Sequence, residues 1–451
     1  MDFERMRQRL RGDLLTPDQS GYDMARKLWN GMMDKRPAAI ARCAGAADVM
    51  SAIDFARNSG LGVSVRGGGH NVAGMAVQDG ALTIDLSRMR SVRVDPRNKT
   101  VRAEGGVTWG EFDQETLAFG LVTTGGAIST TGIAGLTLGG GVGWLMGKHG
   151  LACDNLISAD VITADGKLLT ASEQHNADLF WALRGGGGNF GVVTSFEYAL
   201  HDLEPITGGL AIYPADVIPE LFRFFDEFTR ATPPSVMTMG GILNGPPGTP
   251  LAGSQVGAIA VCHSGPPDEG AKLLKPIKAL GPPAIDTIGP MPYTAIQTML
   301  DAGYPPGQRN YWRSNFLGGL DAKLFDTILD QASGLSNFGG SAILFEHIHG
   351  AAKDVPDDAT AFANRHASYN LTALSVWERP EDDAKNIEWT RRFGDSLKPF
   401  ATGSGYVNYM TDDEGPERVK ATYGAHYERL VGIKRKYDAD NFFKGNQNIR
   451  P

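Results

Sequence analysis

Long apolar runs are missing from this chain. Nowhere in its 451 residues does it reach the ~18 uninterrupted apolar residues that a membrane helix needs. Basic charge is also in short supply: 43 Lys and Arg against 51 Asp and Glu leave a formal net charge of −8. That balance argues against nucleic acid or an anionic membrane as a general partner. Cysteine is scarce, and Cys43, Cys153 and Cys262 have no paired spacing, which excludes a disulfide framework and a zinc motif. The opening residues MDFERMR carry acid and no apolar run, so no export signal is expected and a cytoplasmic protein is the plain reading. Internal repeats and low-complexity tracts are absent too.

Glycine, by contrast, is abundant. There are 58 glycines, concentrated between Gly67 and Gly191 in an apolar-rich context, which suggests backbone pressed against a ligand rather than a floppy linker. The length allows two domains. From about 36 to 203 the pattern is short strands and tight turns. Leu82, Ile84 and Leu86 alternate with polar residues as in a half-buried strand, and Val92, Val94 and Val101 flank a turn cluster as in a hairpin. Thr108 to Glu111 matches a capping box, with Trp109, Phe112 and Phe119 on one helical face. Asn155 to Thr163 reads as a strand returning through 167–170, and Asn176 as a helix cap. After about 204, helical stretches (215–230, 267–280, 321–333, 382–397) alternate with strand-like runs (206–213, 255–262, 340–348, 368–377). That alternation predicts an antiparallel sheet backed by helices.

The stretch 186–191, GGGNFG, fits G-x-G-x-x-G literally. A dinucleotide fingerprint, however, must follow a strand and open a helix. Here a helix over 176–184 precedes it and a strand from Val192 follows, so a Rossmann reading fails. Consecutive backbone amides in a nest-like turn still hold a pyrophosphate without a helix dipole. The loop Arg66-Gly67-Gly68-Gly69-His70-Asn71 supplies such donors, and a ligand-free glycine turn is the bland alternative. A second glycine-rich, uncharged stretch, 125–144, precedes the lone Cys153, and two such loops suit an extended ligand better than turns alone.

Individually the reactive residues are ambiguous. His70 also fits a hydrogen-bonded core imidazole, Cys153 an inert buried thiol, and Tyr406 with Asn408 two side chains sharing one face of an aromatic strand. Glu346-His347-Ile348-His349 puts two imidazoles on one strand face with Glu346 on the other. No third metal ligand has recognisable spacing, so a sheet surface or a pocket wall is the better reading. Tyr293, Tyr304, Tyr311, Trp312, Phe345 and Trp377 fit either core or pocket.

Taken together, RGGGHNVAG (66–74), TTGIAGLTLGGGVGWL (130–145), GLACDNL (150–156) and FWALRGGGGNFGVVTSF (180–196) resemble the berberine-bridge-enzyme-like branch of the vanillyl-alcohol-oxidase flavoproteins. The resemblance implies an α+β fold: a PCMH-type two-subdomain FAD-binding domain over 1–203 (core about 36–203), an antiparallel-sheet substrate domain backed by helices over 204–411, and a C-terminal segment, 412–451, completing the FAD domain. It implies FAD bonded twice, through His70 at C8α and Cys153 at C6. As cofactor-binding residues it implies Arg66, Gly67, Gly68, Gly69, Asn71, Gly74, Gly125, Gly126, Thr130, Thr131, Gly135, Gly139, Gly140, Gly143, Trp144, Asn155, Gly188, Asn189, Gly191, Val193, Asn446 and Asn448.

GYVNY (405–409) resembles the family's Tyr-x-Asn-Tyr stretch, which makes Tyr406 the base and Asn408 its positioning neighbour. A free tyrosine, with a pKa of about 10, is a poor base at neutral pH, so a cation or hydrogen bonds must favour its phenolate. Alkaloid-oxidising relatives carry a glutamate on a central substrate-domain strand. The matching position here falls near Thr372, where there is no carboxylate, and that favours an alcohol (a sugar lactol or a secondary-metabolite hydroxyl) as substrate with O2 as acceptor. The alternatives are a dehydrogenase passing electrons to a quinone or carrier, an oxidative C–C or C–N bond-forming enzyme, and a non-catalytic flavin binder. A monomer or homodimer acting on a small molecule, without a metal, completes the expectation.

Overall fold

The computed structural model describes residues 2–246 and 248–451. Three larger sheets and a two-stranded one, Leu121–Val122 with His201–Asp202, organise them. The first runs Asp13–Leu15, Ala39–Arg42, Leu82–Asp85, Val63–Arg66 in spatial order, and its last three strands are parallel. The helix Ala46–Ser59 provides the crossover that parallel pairing requires. Leu82–Asp85 sits between two parallel neighbours and is buried at all four positions. The half-buried strand expected there is therefore corrected: parallel sheets are covered on both faces, and Thr83 is accommodated by a 3.0 Å hydrogen bond with Ser64.

The second sheet is antiparallel, ordered Val92–Asp95, Thr100–Glu104, Val192–Ala199, Leu156–Ile162, Leu168–Ser172. Both expected hairpins are present. The capping box at Thr108 also forms, with the Glu111 carboxylate accepting from the Thr108 amide at 2.9 Å. That helix, Trp109–Leu117, buries Trp109 and Phe112, but Phe119 lies beyond its end and is 52% exposed, so the expectation of a shared face fails for it. Asn176 does precede the helix Ala177–Leu183, yet its side-chain amide donates to Thr170 O instead of capping.

The third sheet is antiparallel throughout: Ile285–Asp286, Ile206–Tyr213, Gln255–Ser264, Val236–Asn244, Ala342–His347, Tyr369–Trp377, Arg309–Leu317, with Gly289–Met291 pairing beside Ile206–Tyr213. Val236–Asn244 and Arg309–Leu317 were not anticipated from the sequence. On one face the helices Ile218–Ala231, Ala322–Ala332 and Asp383–Ser396 bury Phe222, Phe225, Ile328 and Phe393 against Ile343, Phe345 and Leu371. The opposite face, carrying Met237, Met239 and Phe316, packs on Trp144, Cys153, Phe362 and Tyr406. This second face is where the candidate site lies.

The C-terminal helix Tyr427–Tyr437 returns to the second sheet's side of the molecule, where Leu430 and Val431 join the cluster of Leu179, Phe180 and Phe190. Lys434 and Asp438 are fully buried there, 2.6 Å apart. The ammonium also donates to Asn189 O and Phe443 O, and the carboxylate accepts from the Phe442 and Phe443 amides. Removing one partner of such a pair strands the other charge. Asp438→Ala is expected to cost about 3–5 kcal/mol of stability, read as a lowered denaturant midpoint with an unchanged slope.

Candidate active site

The site is built around residues 139–141. Gly139 ends the helix Ile133–Leu138, and the backbone then turns through left-handed conformations at Gly140 (φ 120°) and Gly141 (φ 95°). The Gly141 amide donates to the Tyr406 hydroxyl at 2.9 Å, with the Val142 amide at 3.4 Å. Carbonyls of the same run face the other way: Gly140 O accepts from the Cys153 amide and Gly141 O from the Ala152 amide, each at 2.9 Å. Tyr406 and Cys153 thus hang on opposite sides of one short stretch of backbone.

Asn408 supplies a third donor to the Tyr406 oxygen at 2.9 Å. Its Nδ2 also donates to Leu136 O at 3.0 Å; a carbonyl only accepts, which fixes the amide's orientation. A methyl on Gly139 would overlap Asn408 Oδ1, so only glycine admits this contact. Tyr406 and Asn408 do not alternate on a strand: Val407–Tyr409 forms a 3-10 turn, which folds the two side chains together. Burial pushes the Tyr406 phenol above its ordinary value, while the three N–H donors pull it down. The Tyr406 amide is anchored on Ser314 Oγ.

His70 closes the 66–70 loop. The amides of Gly67, Gly68, Gly69 and His70 find no acceptor among the described residues, and His70 Nε2 is enclosed without a partner. Burial depresses the imidazole to about 4, so it is neutral at physiological pH. Trp29 stacks on it at 4.3 Å, with its own amide donating to Gly69 O. From Trp29 the aromatic contacts run to Trp312 (5.6 Å), then Tyr409 (5.4 Å), then Tyr406 (4.8 Å), linking the His70 loop to the tyrosine. The 66–70 loop also meets 131–132: a methyl on Gly68 would sit 2.5 Å from the Gly132 nitrogen.

Cys153 is fully buried, and burial beside Asp154 pushes its thiol up. Arg365, itself buried, grips Asp154 at 3.0 Å and also donates to Ala352 O. Asn155 is used by protein on both sides of its amide, bonding His149 O, Leu151 O and His201. The remaining expected positions divide into groups. Gly125 packs on Trp109, Gly126 on Leu136, Gly140 on Phe362, Gly143 on Gly125, Gly74 on Met33 and Gly191 on Val161. The carbonyl of Val193 abuts Gly105, and Thr131 O accepts from the Trp109 amide. Asn189 and Asn446 tie the C-terminal segment to residues 186–188. Gly135 and Gly188 face open space, and Thr130 is exposed. Asn71 closes a turn onto Gly74, and Arg66 reaches Ala25 O. Trp144 Nε1, Arg66 Nε, Asn446 Oδ1 and Asn448 Oδ1 are buried without partners.

Sequence reasoning considered Glu346 only beside His347 and His349 and did not place it in the site. Thr372 carries no carboxylate, but it pairs with Leu344 and is two residues from Asn370, which pairs with Glu346. Glu346 is 3% exposed and accepts from Asn370 Nδ2 at 2.6 Å and from the Tyr409 hydroxyl at 2.9 Å. Burial lifts it to about 6. The site thus does hold a carboxylate, and the preference for an alcohol that rested on its absence is withdrawn. Strand alternation was the available signal, since it sets Glu346 opposite His347. His347 and His349, stacked at 4.2 Å, line a cleft of about 370 Å³ with Lys353 and Tyr369, away from Tyr406. Tyr311 and Trp377 point to the helix side, bonding Asp413 and Asp383, Phe345 is core there, and Tyr293 packs in the cluster with Trp144.

Two family models match the chain: an FAD binding domain over residues 37–172 and "Berberine and berberine like" over 405–450. The (R)-6-hydroxynicotine oxidase of Paenarthrobacter nicotinovorans is 32% identical, over 98% of this chain and 97% of its own. The chain belongs to the berberine-bridge-enzyme-like FAD-linked oxidoreductases. Among solved structures, 6-hydroxy-D-nicotine oxidase from Arthrobacter nicotinovorans superposes with a TM-score of 0.87 at 28% identity, covering 98% of both chains. A glucooligosaccharide oxidase from Acremonium strictum, whose structure revealed a novel flavinylation, reaches 0.86 at 25% identity over 98% of this chain and 96% of that one. The free amides of 67–70 and the partnerless His70 nitrogen suit FAD, because backbone N–H groups hold phosphate oxygens.

Gly139→Ala is expected to displace the Asn408 amide and lower stability by about 1–3 kcal/mol, measured by denaturant unfolding. A neutral result would mean that Asn408 is not held as described.

Proposed function

We propose that this FAD-linked oxidoreductase is an O2-using oxidase whose cofactor is bonded to a ring nitrogen of His70 at C8α and to Cys153 Sγ at C6. The observation that carries this reading is convergence: one glycine run ties Tyr406 to Cys153, and one aromatic series ties Tyr406 to the neutral imidazole of His70. A neutral, partnerless imidazole is a competent nucleophile. Cys153 requires deprotonation on attack, since burial and Asp154 favour the thiol, and Arg365 and Arg184 oppose that preference. Residues 1–203 and 412–451 form the FAD-binding part of the proposal, and 204–411 the substrate-binding part. The amides of 67–70 hold the pyrophosphate.

Bound FAD supplies the two-electron sink that takes a hydride from substrate carbon and passes the electrons to O2. Tyr406 accepts the substrate's proton at its phenolic oxygen. Three N–H donors converge on that oxygen, more than a hydroxyl's two lone pairs accommodate, and this favours the charged form during turnover. Asn408 and Ser314 fix the ring's position. The substrate carbon bears a hydroxyl or an amine, and Glu346 is the second titratable group beside it.

Tyr406→Phe is expected to keep its flavin and to slow anaerobic bleaching by substrate about 10²–10⁴-fold; unchanged bleaching removes Tyr406 from the mechanism. On denaturing gels, wild type should retain flavin fluorescence, as should His70→Ala and Cys153→Ser singly, and the double variant should lose it. Complete release of colour from denatured wild type would refute the covalent bonds.

A further inference from the structure

Strand alternation turns Glu346 toward Tyr409 and sends His347 to the other face of the third sheet, where Phe345 and Tyr369 lie. There His347 and His349 wall a cleft of about 370 Å³ whose other charged members are Asp226, Arg230 and Lys353. Arg230 and Asp226 neutralise each other, Nε meeting Oδ1 at 2.9 Å and Nη2 meeting Oδ2 at 2.8 Å. Lys353 has no such partner among the described residues. Its ammonium donates to Ser368 Oγ at 3.0 Å and to His366 O at 3.4 Å, and Asp354, its neighbour in sequence, does not line the cleft. The cleft therefore carries one uncompensated positive charge.

The polar groups beside that charge are donors without acceptors. The Ser368 hydroxyl receives the Lys353 bond and still has its own proton to give. His347, 5% exposed, bonds nothing through either ring nitrogen; Nδ1 is enclosed and Nε2 is not. Its ring proton is thus free to sit on Nε2, so the imidazole donates while neutral. That matters, because burial, His349 and Lys353 depress it to about 3. His349 is already engaged, its Nδ1 donating to His347 O at 3.4 Å, and the Tyr369 hydroxyl is bonded to Thr229 at 2.7 Å. The backbone amides of Gly318 and Gly319, in the same lining, find no acceptor among the described residues.

A metal ion does not suit this cleft. Metal bonds to imidazole lie in the ring plane at about 2.0–2.1 Å, whereas His347 and His349 are stacked with centroids 4.2 Å apart and planes 3° from parallel. No single point lies in both planes beside both rings, and Lys353 adds a repelling charge. A group that only accepts is matched instead, since a carboxylate or phosphate takes several donors at once and balances the ammonium. We infer that this cleft binds the oxyanion group of a small metabolite, a carboxylate or a phosphate, through Lys353, Ser368 and His347, at a site separate from Tyr406. Its volume lies within the roughly 300–1,000 Å³ of small-molecule sites and exceeds what a bare ion fills, so the oxyanion is one end of a larger molecule. His347 pairs with Tyr369 as Glu346 pairs with Asn370, so the same two strands carry this cleft on one face and the candidate active site on the other.

The test is equilibrium dialysis of the holoprotein, in dilute neutral buffer, against radiolabelled inorganic phosphate and separately against radiolabelled acetate, with sodium chloride as competitor. Saturable binding of at least one probe at a single site is expected, and Lys353→Met, which keeps the stem and removes the charge, is expected to weaken it roughly tenfold or more. Binding of phosphate alone, acetate alone or both supports the site and names the group it recognises. No saturable binding of either probe, displacement by an equal concentration of chloride, or an affinity unchanged in Lys353→Met each overturns the proposal. If Lys353→Met fails to fold, Ser368→Ala is read in its place, with a loss of about threefold expected and no loss counting against the site. Flavin has no part in the readout, and an anion lodged at the 67–70 loop of flavin-free protein is insensitive to Lys353→Met, so failure here is distinguishable from failure of the FAD reading.

Discussion

Backbone at residues 139–141 must serve two neighbours at once, and the rest of the site depends on that constraint. Its amides reach the Tyr406 hydroxyl and its carbonyls reach the amides of 152–153. A side chain at 139 would collide with Asn408, and φ is positive at 140 and 141. Glycine is therefore required here for contact between protein segments: the third sheet's open face and the Cys153 turn are held together through a strip of bare backbone. Tyr406, Cys153 and Asn408 owe their relative positions to it.

Two carboxylates near this strip illustrate how burial assigns different tasks to one chemical group. Asp154 is compensated by Arg365, which also secures Ala352 O and so fastens the Cys153 turn to the 351–366 segment. That pair is structural. Glu346 receives only neutral hydrogen bonds and is lifted to about 6 by its surroundings. The same distinction separates His70, neutral and partnerless beside Trp29, from His201, whose ring nitrogen bonds Asn155.

Much of this was legible in residue order. Hairpin turns, the capping box at Thr108 and the helix–loop–strand order around 186–191 follow from local chemistry, and all occur as expected. Expectations failed where a partner distant in sequence decides. Leu82–Asp85 looked half-buried because Thr83 and Asp85 are polar, yet parallel neighbours cover both faces. Phe119 looked inward because it continues the helical spacing, but the helix has ended. Val236–Asn244 escaped notice because Gly240 and Gly241 weaken its strand pattern, and its pairing with Gln255–Ser264 compensates. Glu346 was set aside as facing away from two histidines, when its surroundings are set by Asn370 and Tyr409, 24 and 63 positions away.

Sequence alone determined the family, because glycine loops with a histidine and a cysteine at set places form a pattern that survives without coordinates. It also determined the local elements, whose turns and caps involve residues a few positions apart. Tertiary structure alone decided which side chains share the site. Hydrogen bonds between segments hundreds of residues apart depend on strand register and loop closure, and neither is encoded in any short window of the chain.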